Sequence, residues 1–193
     1  MDIENTIKYF KEQFPNLSDE DIEEVLSITK IISLKKEDYF IRTGEYKPII
    51  ALVISGIIRG VYYTDNGQEM TPFFWPEHQA VASWETIYLK QPSALDYEAI
   101  EDTTLAVIDF IAFKKLAAQN SKLQQAYIDM VEIIFANTLI HQQEYINAKP
   151  EKRYELFQKN SNQIINRIAD KHIASHLGIT PISFSRMKKR LEE

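Results

Sequence analysis

The side chains best suited to binding a charged or polar partner lie near the carboxyl end of the sequence, in a basic segment that follows Pro181. At helical spacing, one side of this segment is apolar and carries Phe184 and Met187, with Ile179 just before it. The other side carries hydroxyl and cationic groups that suit bases and phosphates: Thr180, Ser183, Ser185, Arg186, Lys188, Lys189 and Arg190. A helix with an apolar inner face and a basic outer face fits the major groove of DNA.

The residues before this segment predict a helix-turn-helix over 171–191. Ala174 is small where two crossing helices meet, and Gly178 suits a turn that needs a left-handed backbone. Thr180 is expected to cap the second helix, with Pro181 in its first position, where a missing N–H is harmless. Asp170 is expected to cap the first helix.

The charge distribution separates this segment from the rest of the chain. Residues 147–193 contain ten Lys and Arg against five Asp and Glu, a surplus of five positive charges. Because the whole chain carries −6, residues 1–146 carry −11, so only the basic part is expected to approach phosphate. The alternative is an ordinary helical hairpin with solvated charges. For Lys188, Lys189 and Arg190, phosphate contact and plain solvation both stay open.

Composition excludes several classes of protein. The chain has 193 residues, of which 45% are hydrophobic and 26% charged, as in one large soluble domain or two small ones. It has no cysteine, which excludes disulfides, thiolate metal sites and cysteine catalysis and fits a reducing compartment. No apolar run has the length of a membrane span, and the first residues do not resemble a signal peptide. We therefore expect a cytoplasmic protein with no membrane partner.

From residue 31 to 110, short β-rich runs alternate with turn residues. The apolar pattern before them predicts two helices within residues 2–30, interrupted at Pro15. Asp65, Asn66 and Gly67 form a strong hairpin signal, with positive φ expected at the central residues. Short strands at this spacing predict a sandwich or small barrel. The predicted strands are 31–33, 39–43, 49–55, 57–64, 69–75, 80–82, 96–100 and 105–110.

From near Phe113 to about Ala148 the pattern is helical. Apolar residues recur at steps of four and three, as in a coiled-coil seam, which predicts a dimer helix. The seam consists of Leu123, Tyr127, Met130, Ile134, Asn137 and His141. A second stripe contains Ile128, Val131 and Phe135, extended by Ile133, Leu139 and Ile140. One stripe can pack on the chain's own β domain, so two favour a second subunit. The alternative is one wide buried face.

These elements, in this order, resemble the Crp/Fnr family of bacterial transcription regulators, and look closest to its short members common in Bacteroidetes. The resemblance covers nearly the whole chain. The sequence segments that carry the resemblance are LKKEDYFIRTGE (34–45), ALVISGIIRGVYYTDNGQE (51–69), PSALDYEAIEDTTLAVID (92–109) and IASHLGITPISFSRMKKRL (173–191). The implied fold class is α+β: an N-terminal double-stranded β-helix (jelly-roll or β-roll) domain, a long dimerisation helix and a small all-α helix-turn-helix domain.

The resemblance also implies domain boundaries, partners and a function. We expect a cyclic-nucleotide-binding-like sensor roll with the N-terminal helices over 1–115, a dimerisation helix over 116–148 and a DNA-binding domain over 149–193. The implied function is a homodimeric, sequence-specific transcription regulator. Its implied partners are double-stranded DNA, a second copy of the chain and RNA polymerase.

The nucleotide cassette departs from the family pattern. Nucleotide-binding members offer a Gly-Glu pair to the ribose and an Arg-Ser pair to the cyclic phosphate. The corresponding residues here are Ala82-Ser83 and Ser93-Ala94, which together with Trp84 and Glu85 form a degenerate cassette. A buried phosphate needs a guanidinium or a cluster of backbone donors, and the only arginines in 1–146 are Arg42 and Arg59. We therefore expect no cofactor and no useful affinity for cAMP or cGMP.

The aromatic residues around this cassette leave two interpretations open. They could hold an unknown small apolar effector, or they could be ordinary core and packing residues, which is the commoner case. The residues concerned are Phe73, Phe74, Trp75, Trp84, Ile87, Tyr88 and Leu89.

The reading helix departs from the family pattern too. Members that read the common operator carry a glutamate and often an arginine near its start, where this chain has Ile182 and Pro181. Ile182 cannot accept a hydrogen bond from cytosine, so the operator is expected to differ. Arg186 is the best candidate for a guanine or phosphate contact. The β-hairpin wing of the family is expected to be absent, because the sequence stops at Glu193.

The sequence contains no set of residues that predicts catalysis or metal binding. Only one histidine, His78, lies in the predicted roll, whereas cupin-type metal sites need several. His172 and His176 share a helix face, and we interpret them as a polar surface pair. Four carboxylates on the roll lack a nucleophile or a phosphate loop beside them: Glu77, Glu85, Asp96 and Glu98. We expect no enzyme. The alternative to a DNA-binding regulator is a protein-interaction module, or a sensor of a small apolar ligand, derived from the same family.

Overall fold

The computed structural model describes residues 3–192, which form two compact units. The first unit comprises residues up to 62 together with 74–131, and the second comprises 63–73 together with 132–192. The helices are α1 (Ile3–Gln13), α2 (Asp19–Ser27), α3 (Phe110–Ala117), α4 (Ser121–Asn147), α5 (Pro150–Asn160), α6 (Asp170–Leu177) and α7 (Pro181–Glu192).

All eight predicted strands are present, with ends within two residues of their predicted positions. They are β1 (Thr29–Leu34), β2 (Tyr39–Ile41), β3 (Ile49–Ser55), β4 (Ile58–Tyr63), β5 (Glu69–Trp75), β6 (Ala80–Ala82), β7 (Asp96–Ala99) and β8 (Thr103–Asp109). They make two four-stranded sheets, ordered β1-β8-β3-β6 and β2-β7-β4-β5, and every recorded strand pairing is antiparallel. Period-two patterning and turn residues therefore predicted the strands and their two-sheet arrangement correctly, and the α+β class implied by the family resemblance is confirmed.

The core of the first unit lies between the two sheets, where alternate strand residues meet. Tyr97 on β7 is buried and stacks on Trp75 at 5.3 Å between ring centroids. A Cβ on Gly60 would lie 3.0 Å from the Trp75 ring, so close ring packing requires glycine there. The other buried members of this core are Phe40, Ile41, Ala51, Val53, Ile58, Val81, Ala99 and Leu105.

The turn between β4 and β5 differs in type from the prediction. Gly67 has φ +74°, whereas Asn66 is not among the residues with positive φ. The Gly67 N–H donates to the Thr64 carbonyl at 2.7 Å, and Thr64 N–H donates to the Gln68 carbonyl at 2.9 Å. These bonds describe an ordinary turn followed by a left-handed glycine, the commonest alternative to a two-residue hairpin loop.

The N-terminal helices pack on the start of the long helix. Ser18 and Asp21 form a reciprocal capping box at the start of α2. The Asn120 amide donates to Asp21 at 2.6 Å, and together these hydrogen bonds hold the pKa of Asp21 well below its usual range. Leu123 packs into the same cluster as Leu17, which ties α4 to α2.

The continuous helix predicted from near Phe113 is in fact two helices, α3 and α4. The side-chain oxygen of Asn120 accepts hydrogen bonds from the N–H groups of Lys122 and Leu123, at 3.1 and 3.3 Å. Asn120 therefore caps a new helix, which begins at Ser121. A five-residue π-helix over Glu85–Leu89, in the cassette region, was also not predicted.

Candidate nucleic-acid interface

The turn between α6 and α7 has the geometry that its residues predict. Gly178 has φ +71° and closes α6, and a Cβ there would be strained in that conformation. The Ser183 N–H donates to Thr180 Oγ1 at 3.1 Å, which confirms Thr180 as the cap of α7, and Pro181 is its first residue. Asp170, by contrast, is the first residue of α6 and not its cap. Ala169 holds the cap position and has no side chain to bond the helix N–H groups.

The inner face of this helix pair is fully packed. Ala174 and Leu177 on α6 are completely buried, as is Phe184 on α7, and Met187 is almost so. Tyr154 of α5 meets the Phe184 ring edge-to-face at 5.1 Å between centroids. This small core fixes which side of α7 faces outward.

The outward side of α7 is the candidate nucleic-acid interface. Ile182 is 68% exposed, and Ser183, Ser185 and Arg186 are exposed beside it. The Thr180 hydroxyl donates to Ser183 Oγ at 3.0 Å, which leaves the Ser183 hydroxyl hydrogen free to donate to another acceptor. The first two turns of α7 thus present an apolar group, hydroxyls and a guanidinium together.

The four cationic residues of α7 differ in their surroundings. The Lys188 ammonium lies 3.1 Å from Asp170, and the Arg190 guanidinium lies 3.0 Å from Glu151. Within the part of the chain that the structure describes, no ion pair involves Arg186 or Lys189. The pairs of Lys188 and Arg190 brace α7 against α6 and α5, which sequence reasoning did not predict.

His172 and His176 are not a surface pair, contrary to the sequence interpretation. Both are buried, and the Nδ1 atom of His176 lies 2.9 Å from the Thr71 carbonyl, to which its N–H donates. Burial lowers the pKa of His176 to about 4, so the ring is neutral at neutral pH. The amphipathic pattern of α6 did not reveal this burial, because the covering residues come from other elements: Thr71 of the β4–β5 hairpin, His141 of α4 and Phe157 of α5.

That hairpin tip, residues 63–73, belongs to the same compact unit as the helix-turn-helix. The Ser175 hydroxyl on α6 donates to the Glu69 carbonyl at 3.1 Å and lies 3.1 Å from the Thr71 hydroxyl. The first helix of the pair is therefore hydrogen-bonded along strand β5. No sequence signal pointed to this contact.

The degenerate cassette is closed by the chain's own hydrogen bonds. Ser83 is fully buried and bonds Glu85 at 3.0 Å and Thr86 at 2.9 Å. Ser93 is buried and donates to the Leu95 carbonyl at 2.8 Å. The remaining cassette residues are Ala82, which is buried and accepts from the Tyr97 hydroxyl, Trp84, which stacks on Tyr88, and Ala94, which is exposed.

Both arginines of the roll already have partners. Arg59 is 4% exposed, and its guanidinium donates to the buried Glu98 carboxylate at 2.5 and 2.9 Å. Arg42 lies over the Tyr39 ring at 4.0 Å. Neither belongs to the cassette, so the roll places no arginine where the family holds a cyclic phosphate.

The predicted seam of α4 faces largely into its own chain. Leu123 is buried, and Tyr127 packs on the rings of Phe110 and Phe113. Met130 and Ile134 are half-buried, Asn137 is exposed, and His141 lies against Phe73 and His176. The exposed apolar residues belong instead to the other stripes: Ile128, Ile133, Phe135, Leu139 and Ile140.

No protein-family description and no curated protein sequence matches the chain. Solved structures do match. The c-di-GMP responsive global regulator CLP of Xanthomonas campestris has a TM-score of 0.73 at 14% identity, with 91% of this chain and 92% of that one covered. FixK2 of Bradyrhizobium japonicum has a TM-score of 0.65 at 17% identity, with 86% and 85% covered. A regulator assigned to the crp/fnr family from Eubacterium rectale has a TM-score of 0.70 at 18% identity, with 95% and 88% covered.

These similarities extend over nearly the full length of each chain, so the protein has the fold of Crp/Fnr transcription regulators. The resemblance predicted from the sequence is thereby confirmed for the fold. Among residues 3–192, no helix is long and apolar enough to cross a membrane. Nor do any three histidine or carboxylate side chains there cluster closely enough to hold a metal ion.

Proposed function

We propose that this protein is a Crp/Fnr-type transcription regulator that binds double-stranded DNA through α7. The observation that carries this proposal is the outer face of α7, where Arg186, Ser183 and Ile182 are exposed beside one another on a helix held by a packed inner face. A guanidinium and a hydroxyl can read base edges in the major groove, and an isoleucine can contact a thymine methyl. No catalytic role is proposed for any residue.

The surroundings of the four cationic residues of α7 indicate different roles for them. Arg186 and Lys189 point outward without an ion pair among the described residues, so we assign them to DNA. Lys188 and Arg190 are held by Asp170 and Glu151 and would have to leave those carboxylates to reach phosphate. They therefore contribute mainly to the placement of α7.

The functional unit in this proposal is a homodimer joined along α4. This helix has 27 residues and a length of about 40 Å, and it carries exposed apolar residues for which the described chain offers no cover. Ile128, Phe135 and Leu139 recur at steps of seven and four, which places them on one face. A second copy of the same helix covers such a face most simply, and two-fold symmetry then presents two α7 helices about 34 Å apart.

The roll acts in this proposal as a sensor without cyclic nucleotide. The support is the closed cassette and the absence of an arginine from it. A cytoplasmic location and contact with RNA polymerase complete the proposal by analogy with the family.

The test is a titration of DNA binding against salt. Each neutralised phosphate contributes about −0.9 to the slope of log K against log salt, so Lys189 from two subunits should give a slope of about −2. The rival function is a protein-interaction module, favoured by the acidic charge of −11 on residues 1–146. An apolar protein contact would be almost independent of salt, and no DNA fragment would bind even at low salt.

A further inference from the structure

An apolar cavity lies in the first unit, on the side of sheet β1-β8-β3-β6 that faces away from the core between the sheets. Its volume is about 80 Å³, and it is partly open toward the surface, where Leu52, Ala80 and Met130 are only half-buried. The sheet forms its floor, and helices α1 to α4 form its walls. The lining residues whose positions matter below are Leu52, Ala80, Leu123, Ala126, Tyr127 and Met130.

The cavity offers nothing to a polar ligand. Among the described residues that line it, only Tyr127 carries an oxygen or nitrogen atom in its side chain, and that hydroxyl is hydrogen-bonded to the hydroxyl of Tyr88. Burial raises the pKa of Tyr127, so the phenol stays neutral. An ordered water needs two to four polar partners, and the described lining offers one hydroxyl that is already hydrogen-bonded, so water is a poor occupant.

The walls are parts of two packed clusters, which maintain the open space between them. On one side Leu123 packs with Leu17 of the α2 region. On the other side Phe110 packs with Ile50 and Tyr127.

We propose that this cavity is a binding site for a small, uncharged, apolar molecule of about three or four heavy atoms. Cavities near 150 Å³ with such linings accept benzene, and about half that volume suits a molecule of this smaller size. The site is separate from the degenerate cassette, and it does not depend on the proposed binding of DNA. Because Leu123, Ala126, Tyr127 and Met130 form one wall, the occupant touches helix α4 directly.

The test uses isobutene as the probe and acetone, which has the same shape with a carbonyl oxygen, as its polar counterpart. The full-length protein is labelled at Ile and Leu methyl groups and titrated with each compound by NMR. The Leu52 and Leu123 methyls should shift saturably with isobutene, while those of Leu177, buried in the helix-turn-helix, should not move. Acetone at equal concentration should give shifts at least tenfold weaker, since the cavity cannot replace its hydrogen bonds to water.

Cavity-filling variants complete the test. Ala126→Leu on the helix wall and Ala80→Val on the sheet floor should each weaken isobutene binding at least tenfold. If one variant does not fold, the other alone is sufficient for the test. The matched control is Ala118→Leu, an exposed position at the end of α3, which should bind like the wild type. Unsaturable shifts, equal responses to acetone, or unchanged binding in a folded filled variant would each overturn the proposal.

Discussion

The basic side chains of α7 look alike in the sequence and differ in the structure. Arg190 is held at 3.0 Å by Glu151, while Arg186 is exposed on the outward side with no ion pair among the described residues. An exposed ion pair is worth little for stability, but it must be exchanged before the cation can neutralise a phosphate. The two arginines therefore form a matched pair for mutation.

Replacing Arg186 by alanine should weaken specific DNA binding by roughly 5- to 150-fold, the range expected when a bidentate base contact is lost. Adding Ser183→Ala should abolish the remaining specificity. Both positions are exposed, so the circular dichroism spectrum and the unfolding midpoint should stay as in the wild type. Fluorescence anisotropy on a labelled operator measures the change.

The control for this pair is Arg190→Ala, for which we expect a loss of less than about threefold. If Arg190→Ala weakens binding as much as Arg186→Ala, the assignment of bases to Arg186 is wrong.

His176 makes stability depend on pH. Burial holds its pKa at about 4, against an ordinary value of 6.5, so between these pH values the unfolded chain binds a proton that the folded chain does not. The contribution of neutral His176 to the free energy of unfolding is fully present above pH 6.5. It is lost as the pH drops toward 4 and amounts to up to ~3 kcal/mol. Urea unfolding at a series of pH values should show that slope. His176→Gln, which can still donate to the Thr71 carbonyl, should flatten it, and an unchanged slope would show that another group is responsible.

Among the elements, α4 carries apolar residues on more than one face. Its predicted seam, from Leu123 to Ile134, packs mainly on its own chain, and the exposed stripe lies on another face. Periodicity predicts that a helix has apolar faces, but it does not tell which of them meets a partner. The dimer surface that we propose therefore rests on which apolar residues of α4 the structure leaves exposed.

Phe135→Asp should convert the dimer into a monomer. Phe135 is 64% exposed, so a carboxylate there is solvated in the monomer, whereas it would be buried without a partner in a helix-to-helix contact. The dimer dissociation constant should rise at least about 30-fold, as for a central interface residue, in sedimentation equilibrium. Ile111→Asp, on the exposed side of α3, is the control and should leave the dimer intact. A dimer that withstands Phe135→Asp does not use this face.

Local sequence patterns predicted the helices and strands well, but they did not predict contacts between segments that are distant in sequence. The eight strands, the left-handed Gly178 and the Thr180 cap each follow from residues within a few positions of one another. The burial of His176 depends on Thr71, 105 positions away, and the division between α3 and α4 depends on a side-chain bond of Asn120 that competes with helical periodicity.

At the scale of the whole molecule, the charge is divided between an acidic body and a basic carboxyl-terminal part. The roll should therefore repel phosphate, because its cassette has no arginine and the hydroxyls of Ser83 and Ser93 are hydrogen-bonded within the chain. Isothermal titration calorimetry with cAMP should show no binding at micromolar concentrations. A saturable micromolar isotherm would mean that the cassette opens in solution.

We propose that two copies of α7 read DNA together, and the sharpest experiment is selection of bound fragments from a random duplex library. Protein at low salt should enrich a two-fold-symmetric consensus whose half-sites lie about 10 base pairs apart, the spacing of successive major grooves on one side of the duplex. The double variant Arg186→Ala, Ser183→Ala should enrich no consensus. If the wild type enriches none either, or the double variant enriches the same one, α7 is not the reading element.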